Sequence, residues 1–211
     1  MAIAFDSLTE CLGSYSWSHT CTGTNMGVVV LLKLANVSDI VTSVTYDGVS
    51  MTRIYISPYI DNSIRVYLYY LSTTTTGTKT ISLSTSEGVS VYAQSASYSG
   101  VNQTGNPEVN VTGNSGGTSV TLTGTTLTDK SWGIMGAGTT TYRPNSGTNF
   151  TRRYTGFENF SIGDTNGDIT PAGSLSMTAN FSSTTYYGAC MIILKPAITT
   201  TVNTAKFLQL F

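Results

Sequence analysis

Apolar and polar residues alternate with a period of two along most of this chain, and no stretch carries the repeat of an amphipathic helix. Tyr15-Ser-Trp-Ser-His-Thr20 sets Tyr15, Trp17 and His19 on one face and hydroxyls on the other. Residues 63–71 set Ile64, Val66, Leu68 and Tyr70 against Tyr67 and Tyr69. Such segments recur about every ten residues between clusters of Gly, Asn, Asp and Ser, as in strands joined by tight turns. The expected fold is all-β: an antiparallel β-sandwich, jelly-roll-like, of about twelve strands around a two-layer apolar interior.

Individual strands follow from the same pattern. An opening strand is expected over residues 2–5. Residues 26–35 are almost continuously apolar and read as a central strand covered on both sides. Val41–Tyr46, the turn Asp47-Gly48 and a return over residues 49–56 read as a hairpin, since Asp-Gly supplies the positive φ angles of a type I′ turn. Further strands are expected over residues 78–84, 89–98, 108–112, 119–123, 132–137, 150–154, 174–180 and 186–194. Pro196 ends the last of these. Residues 1–196 form one sandwich domain and residues 197–211 a tail.

Composition narrows the function. Only 10% of residues are charged, against roughly 25% in ordinary soluble domains, and the net charge is −1. The exposed surface is therefore built from hydroxyls and amides. Ten scattered basic residues give no phosphate-binding face, which excludes nucleic acid as a partner. Arg143, Arg152 and Arg153 form the one local cluster and read as a solvated strand edge. The N-terminus lacks the basic and apolar segments of a signal peptide, and the apolar run Val28 to Leu32 is too short to span a bilayer, so no membrane insertion is expected.

Catalytic constellations are missing. His19 is the single histidine, lies on a strand among aromatics, and has no nucleophile elbow to serve. No spacing selects a pair of carboxylates for glycoside hydrolysis. Cys11, Cys21 and Cys190 give neither a disulfide framework nor a zinc site, although Cys11 and Cys21 would pair if neighbouring strands brought them together. Asp164-Thr-Asn-Gly-Asp168 has the opening of a calcium loop but lacks the later glycine and glutamate, so it reads as a plain turn. The chain is expected to be non-enzymatic, with no cofactor.

Two features point to binding. Thirteen tyrosines offer rings for sugar faces or protein partners, and Tyr55, Tyr59, Tyr67, Tyr69, Tyr142, Tyr186 and Tyr187 are the candidates for exposure. Of these, Tyr67, Tyr69, Tyr142, Tyr186 and Tyr187 are the expected glycan or partner contacts. The tail ends on Phe207, Leu208, Leu210 and Phe211, an apolar end suited either to closing over this domain or to docking on a neighbouring subunit.

Several of these segments together resemble a family of β-sandwich proteins encoded in bacteriophage structural modules, with relatives among bacterial surface proteins. The resemblance is carried by Tyr15-Ser-Trp-Ser-His-Thr-Cys-Thr-Gly23, the hairpin Ser43–Val49, Ser97–Thr104, a Ser-Ile-Gly-Asp turn at Ser161–Asp164, and the closing Leu194-Lys-Pro-Ala197. It covers residues 1–197 in order and implies a sandwich without an active site. With it, the expected function is that of a virion structural protein, a capsid decoration or other surface component of a bacteriophage, partnered by other virion proteins or copies of itself. A carbohydrate-binding module or adhesin using exposed tyrosines is the alternative.

Overall fold

The computed structural model describes residues 1–154, 156 and 158–198. Fourteen strands run through them: β1 (Ala4–Leu12), β2 (Ser16–Cys21), β3 (Met26–Leu34), β4 (Val41–Tyr46), β5 (Val49–Ser50), β6 (Thr52–Ile56) and β7 (Arg65–Thr73). They continue with β8 (Gly77–Thr85), β9 (Val91–Ser99), β10 (Val109–Thr125), β11 (Trp132–Thr139), β12 (Thr151–Arg152), β13 (Phe160–Asp164) and β14 (Ser174–Leu194). All ladders are antiparallel, and the described residues contain no helix, as the two-residue period requires.

The strands form three sheets rather than two. The central sheet has the order β1-β9-β3-β7-β6, the outer sheet β2-β8-β4-β5, and the third sheet β10-β14-β11-β13-β12. β3 lies in the middle of the central sheet with all nine residues buried. Val29 and Leu31 face the third sheet with Val66, Leu68 and Tyr98, meeting Ile134, Phe160, Ile162 and Ile192. Val28, Val30, Leu32 and Leu34 face the outer sheet with Tyr67 and Tyr69, meeting Trp17, Val44, Tyr46, Ile81 and Leu83. A strand with both faces covered has no polar face to show, which is why residues 26–34 read as one apolar run. Each aliphatic side chain buried there contributes about 1.5–3 kcal/mol against the entropy of ordering the chain.

The Asp47-Gly48 turn forms as the sequence predicts, with φ of 51° and 79°. The return strand does not run unbroken to Ile56. β5 pairs with β4, then Met51 turns inward, donates its N–H to the Val44 carbonyl at 2.9 Å and buries its side chain, and β6 leaves to pair with β7 in the central sheet. Burial of Met51 between the two sheets carries the chain from one to the other.

The largest departure lies in β10 and β14. Each was expected as two short strands, yet each is continuous, and together they form one ribbon from Val109↔Ile193 to Thr125↔Ser174. The glycine- and asparagine-rich residues 113–117 sit within this ladder instead of in a loop. The ribbon bends there and folds back on the third sheet. A Cβ on Gly124 would lie 3.0 Å from Met191 Cε and 3.1 Å from Val111 Cγ2, so the far half of the ribbon rests on the near half. The third core cluster fills this fold, with Val120, Leu122, Leu175 and Met177 against Met135, Ala137, Met191 and Ile193.

Smaller differences follow from pairing. The opening strand extends to Leu12 because β9 pairs with it along its length. Residues 150–154 contribute only the two residues of β12. Ser161–Asp164, expected as a turn, belongs to β13, which is buried throughout between β11 and β12.

Candidate functional site

The single histidine and the three cysteines are built into the interior here. His19 is fully buried, with Ser7, Thr9 and Ser95 hydroxyls around its ring at 3.1–3.4 Å. Burial pushes its pKa down to about 4 against a smaller pull from Asp6. The ring is therefore neutral at pH 7 and has no route to solvent for a transferred proton. Cys11, Cys21 and Cys190 are all free and buried, and desolvation raises each thiol pKa. Tyr46 donates to Cys21 Sγ at 3.2 Å, while Cys11 donates to the Ser14 carbonyl at 3.4 Å.

The calcium-like loop is a turn whose carboxylates are already engaged. Asp164 accepts from Arg153 and Tyr98, and Asp168 Oδ1 accepts from the Trp132 indole at 3.0 Å. Among the described residues no cluster of His, Cys, Asp and Glu has the arrangement of a metal site. The reading of Arg143, Arg152 and Arg153 as a solvated edge is also corrected. Arg153 lies 4.3 Å over the Phe5 ring with only 15% of its side chain exposed, and Arg143 and Arg152 converge on the Gly156 carbonyl.

The tyrosines divide sharply. Tyr67 and Tyr69, expected as surface contacts, are 0% and 4% exposed, because the outer sheet covers the face of β7 on which they stand. Tyr55 is buried as well. Tyr142 is half-buried and packs on the third core cluster. Tyr186 and Tyr187 come together with Tyr59 at the bend of the β10–β14 ribbon, and Tyr59 and Tyr186 are 56% and 54% exposed.

These three rings line a groove made of two adjoining hollows of about 310 and 410 Å³. Asp61, Gly116 and Tyr186 belong to both. The first hollow adds Asn114 and Ser115, and the second adds Thr140, Thr141, Thr184 and Thr185. Each part is held by backbone geometry. Asp61 and Asn62, with φ of 49° and 48°, make the tight turn that pairs Ile60 with Ile64 and lifts Asp61 to the rim. The Tyr186 ring lies over Gly116, where a Cβ would come within 3.3 Å of Cδ1 and Cε1. Tyr187 is held against Phe181 at 5.6 Å between ring centroids, and Thr140 N–H donates to the Tyr186 carbonyl at 3.2 Å.

The groove is polar and uncharged except for one carboxylate. Among the described residues the Asp61 carboxylate makes no hydrogen bond or ion pair, and no Lys or Arg lines either hollow. Hydroxyls, amides and exposed rings around a carboxylate that no described residue engages can hold a hydroxyl-rich ligand. Of this set the sequence pointed to the three tyrosines. Asp61 and the threonines carried no signal apart from the turn-forming Asp61-Asn62 pair.

The groove lies at the far end of the molecule from Met1 and Ala197. The Asp61 turn precedes β7, whose first residue Arg65 pairs with Leu34 at the end of β3. At the other end of β3, Val101 N–H donates to Asn25 and bridges Pro196, Ala197 N–H donates to Gly100 at 2.7 Å, and the Met1 amino group donates to the Ala197 carbonyl at 2.9 Å. From Tyr187 to Leu194, β14 covers about 23 Å at the rise of an extended strand. The apolar tail residues Phe207, Leu208, Leu210 and Phe211 lie outside the described residues. Comparison of the chain with protein-family models, curated proteins and solved structures returns no match, so the resemblance to phage sandwich modules rests on its motifs alone.

Proposed function

We propose that this protein is a non-enzymatic structural component of a bacteriophage particle, a capsid decoration or other surface element. In this reading it is fixed through its terminal end to other virion proteins or to copies of itself. The observation that carries the reading is the polarity of the molecule: Met1 and Ala197 meet at one end, while the open groove faces away at the opposite end. A module anchored at one end and functional at the other needs a stiff body between them. Three packed sheets with all nine β3 residues buried provide one. A surface of hydroxyls and few charges keeps such a body soluble with little dependence on salt.

The test is a mass-spectrometric inventory of purified particles, followed by deletion of Lys206–Phe211. The protein should be present in many copies, and the truncated chain should fold and be lost from particles. Its absence from intact particles, or full retention of the truncated chain, would overturn the reading. A second reading, a carbohydrate-binding module or adhesin, is favoured by the groove at the free end and is compatible with the first.

A further inference from the structure

We infer that the groove beside Asp61 is a binding site for a neutral oligosaccharide, with Tyr59 and Tyr186 as stacking platforms and Asp61 as the hydroxyl acceptor. Pyranose rings present C–H groups on their faces and hydroxyls around their rims, so they bind where an exposed aromatic face stands beside acceptors and donors. Tyr59 and Tyr186 are each more than half exposed although both are large and partly apolar. Tyr186 is held in place by the close approach of Gly116 and by Thr140, which bonds the Tyr186 backbone, so its ring is set before any ligand arrives. Preorganisation of this kind lowers the entropic cost of binding.

Charge selects the class of sugar. A carboxylate without a partner among the described residues accepts two neighbouring hydroxyls of one ring, and charge-assisted bonds of this type are stronger than neutral ones. With no Lys or Arg among the described residues of the lining, the same carboxylate repels uronates, sialic acids and sulfated or phosphorylated sugars. The two hollows, of about 310 and 410 Å³, share the Tyr186 wall, which suits two or more linked rings better than a single one. Asn114 and Thr141 lie in different hollows and supply polar groups to the two ends of such a chain.

This site deepens the adhesin reading, and it is tested on the soluble full-length protein. Its failure is therefore distinguishable from failure to enter a particle. The probes are trisaccharides of glucose, mannose, galactose and N-acetylglucosamine, with sialylated and heparin-derived oligosaccharides as anionic controls, followed by calorimetry and by amide NMR shifts. At least one neutral trisaccharide should bind and shift the amides of Asp61, Gly116 and Tyr186. Tyr186→Ala and Asp61→Asn should each weaken it tenfold or more. Asn keeps the positive φ of position 61, and the Tyr186 ring is exposed, so both variants should retain the wild-type melting temperature. Thr121→Ala, on the exposed far half of the ribbon, should bind as wild type. No binding by any neutral probe, unchanged binding by either groove variant, or tighter binding of the anionic controls would overturn the assignment.

Discussion

The Tyr98 hydroxyl of the central sheet donates to Asp164 Oδ2 of the third sheet at 3.0 Å, and both side chains are fully buried. Arg153 closes on the same carboxylate through Nε and Nη2 at 2.6 Å each, and the Asn166 N–H donates to Oδ1 at 2.9 Å. Four donors thus satisfy a carboxylate that burial would otherwise make very costly. Tyr98 also meets the Trp132 ring edge-on at 6.1 Å, so the charge network and the apolar core between the two sheets are contiguous.

Removing the carboxylate leaves Arg153 without its charge partner beneath Phe5. Asp164→Ala should therefore cost about 3–5 kcal/mol, and Tyr98→Phe, which loses one hydrogen bond and keeps the ring, about 1–2 kcal/mol. Urea unfolding of the single and double variants measures both. Additive effects in the double variant would contradict the shared network.

His19 gives the protein a defined acid sensitivity. Its folded pKa, about 4, is below the ordinary value of 6.5, so between these values the unfolded chain binds the extra proton. The stabilisation is fully present above about pH 6.5 and is lost as pH falls toward 4. Between pH 7 and 5 the free energy of unfolding should drop by about 2 kcal/mol. His19→Gln should abolish that slope, and an unchanged slope in the variant would refute the assignment.

Lys33 is a buried amine in β3, with its Nζ bonded to Asn159 Oδ1 and 4.8 Å from the Tyr92 ring centre. Desolvation lowers its pKa to about 8, against a pull upward from Glu158. Lys33→Met keeps the length and removes the buried charge, and should stabilise the protein by about 1–3 kcal/mol at pH 7. The advantage should shrink as pH rises from 8 to 10, where Lys33 loses its proton in the folded state first. Denaturant titrations of both proteins across that range provide the comparison.

Cys11, Cys21 and Cys190 should be inert in the native state. Burial raises all three thiol pKa values, that of Cys190 to about 12, so little thiolate is available for attack. An aromatic disulfide reagent should label none of them before unfolding and all three after it. Rapid labelling of the folded protein would show that the interior opens.

The alternation of side chains was enough to determine an antiparallel all-β chain, the Asp47-Gly48 turn and the doubly buried β3, because these depend on local conformation and on the periodicity of one strand. It could not say what lies against a strand's second face. Tyr67 and Tyr69 look the same in sequence whether they meet water or the outer sheet, and the outer sheet buries them. Glycine-rich residues 113–117 read equally as a loop or as the bend of a ribbon, and only the pairing with β14 distinguishes these. The groove has the same origin: Asp61, Gly116 and Tyr186 are far apart in the chain and meet only because the ribbon bends beside the turn before β7. Local periodicity sets which way a side chain points, whereas exposure and proximity depend on how the sheets stack.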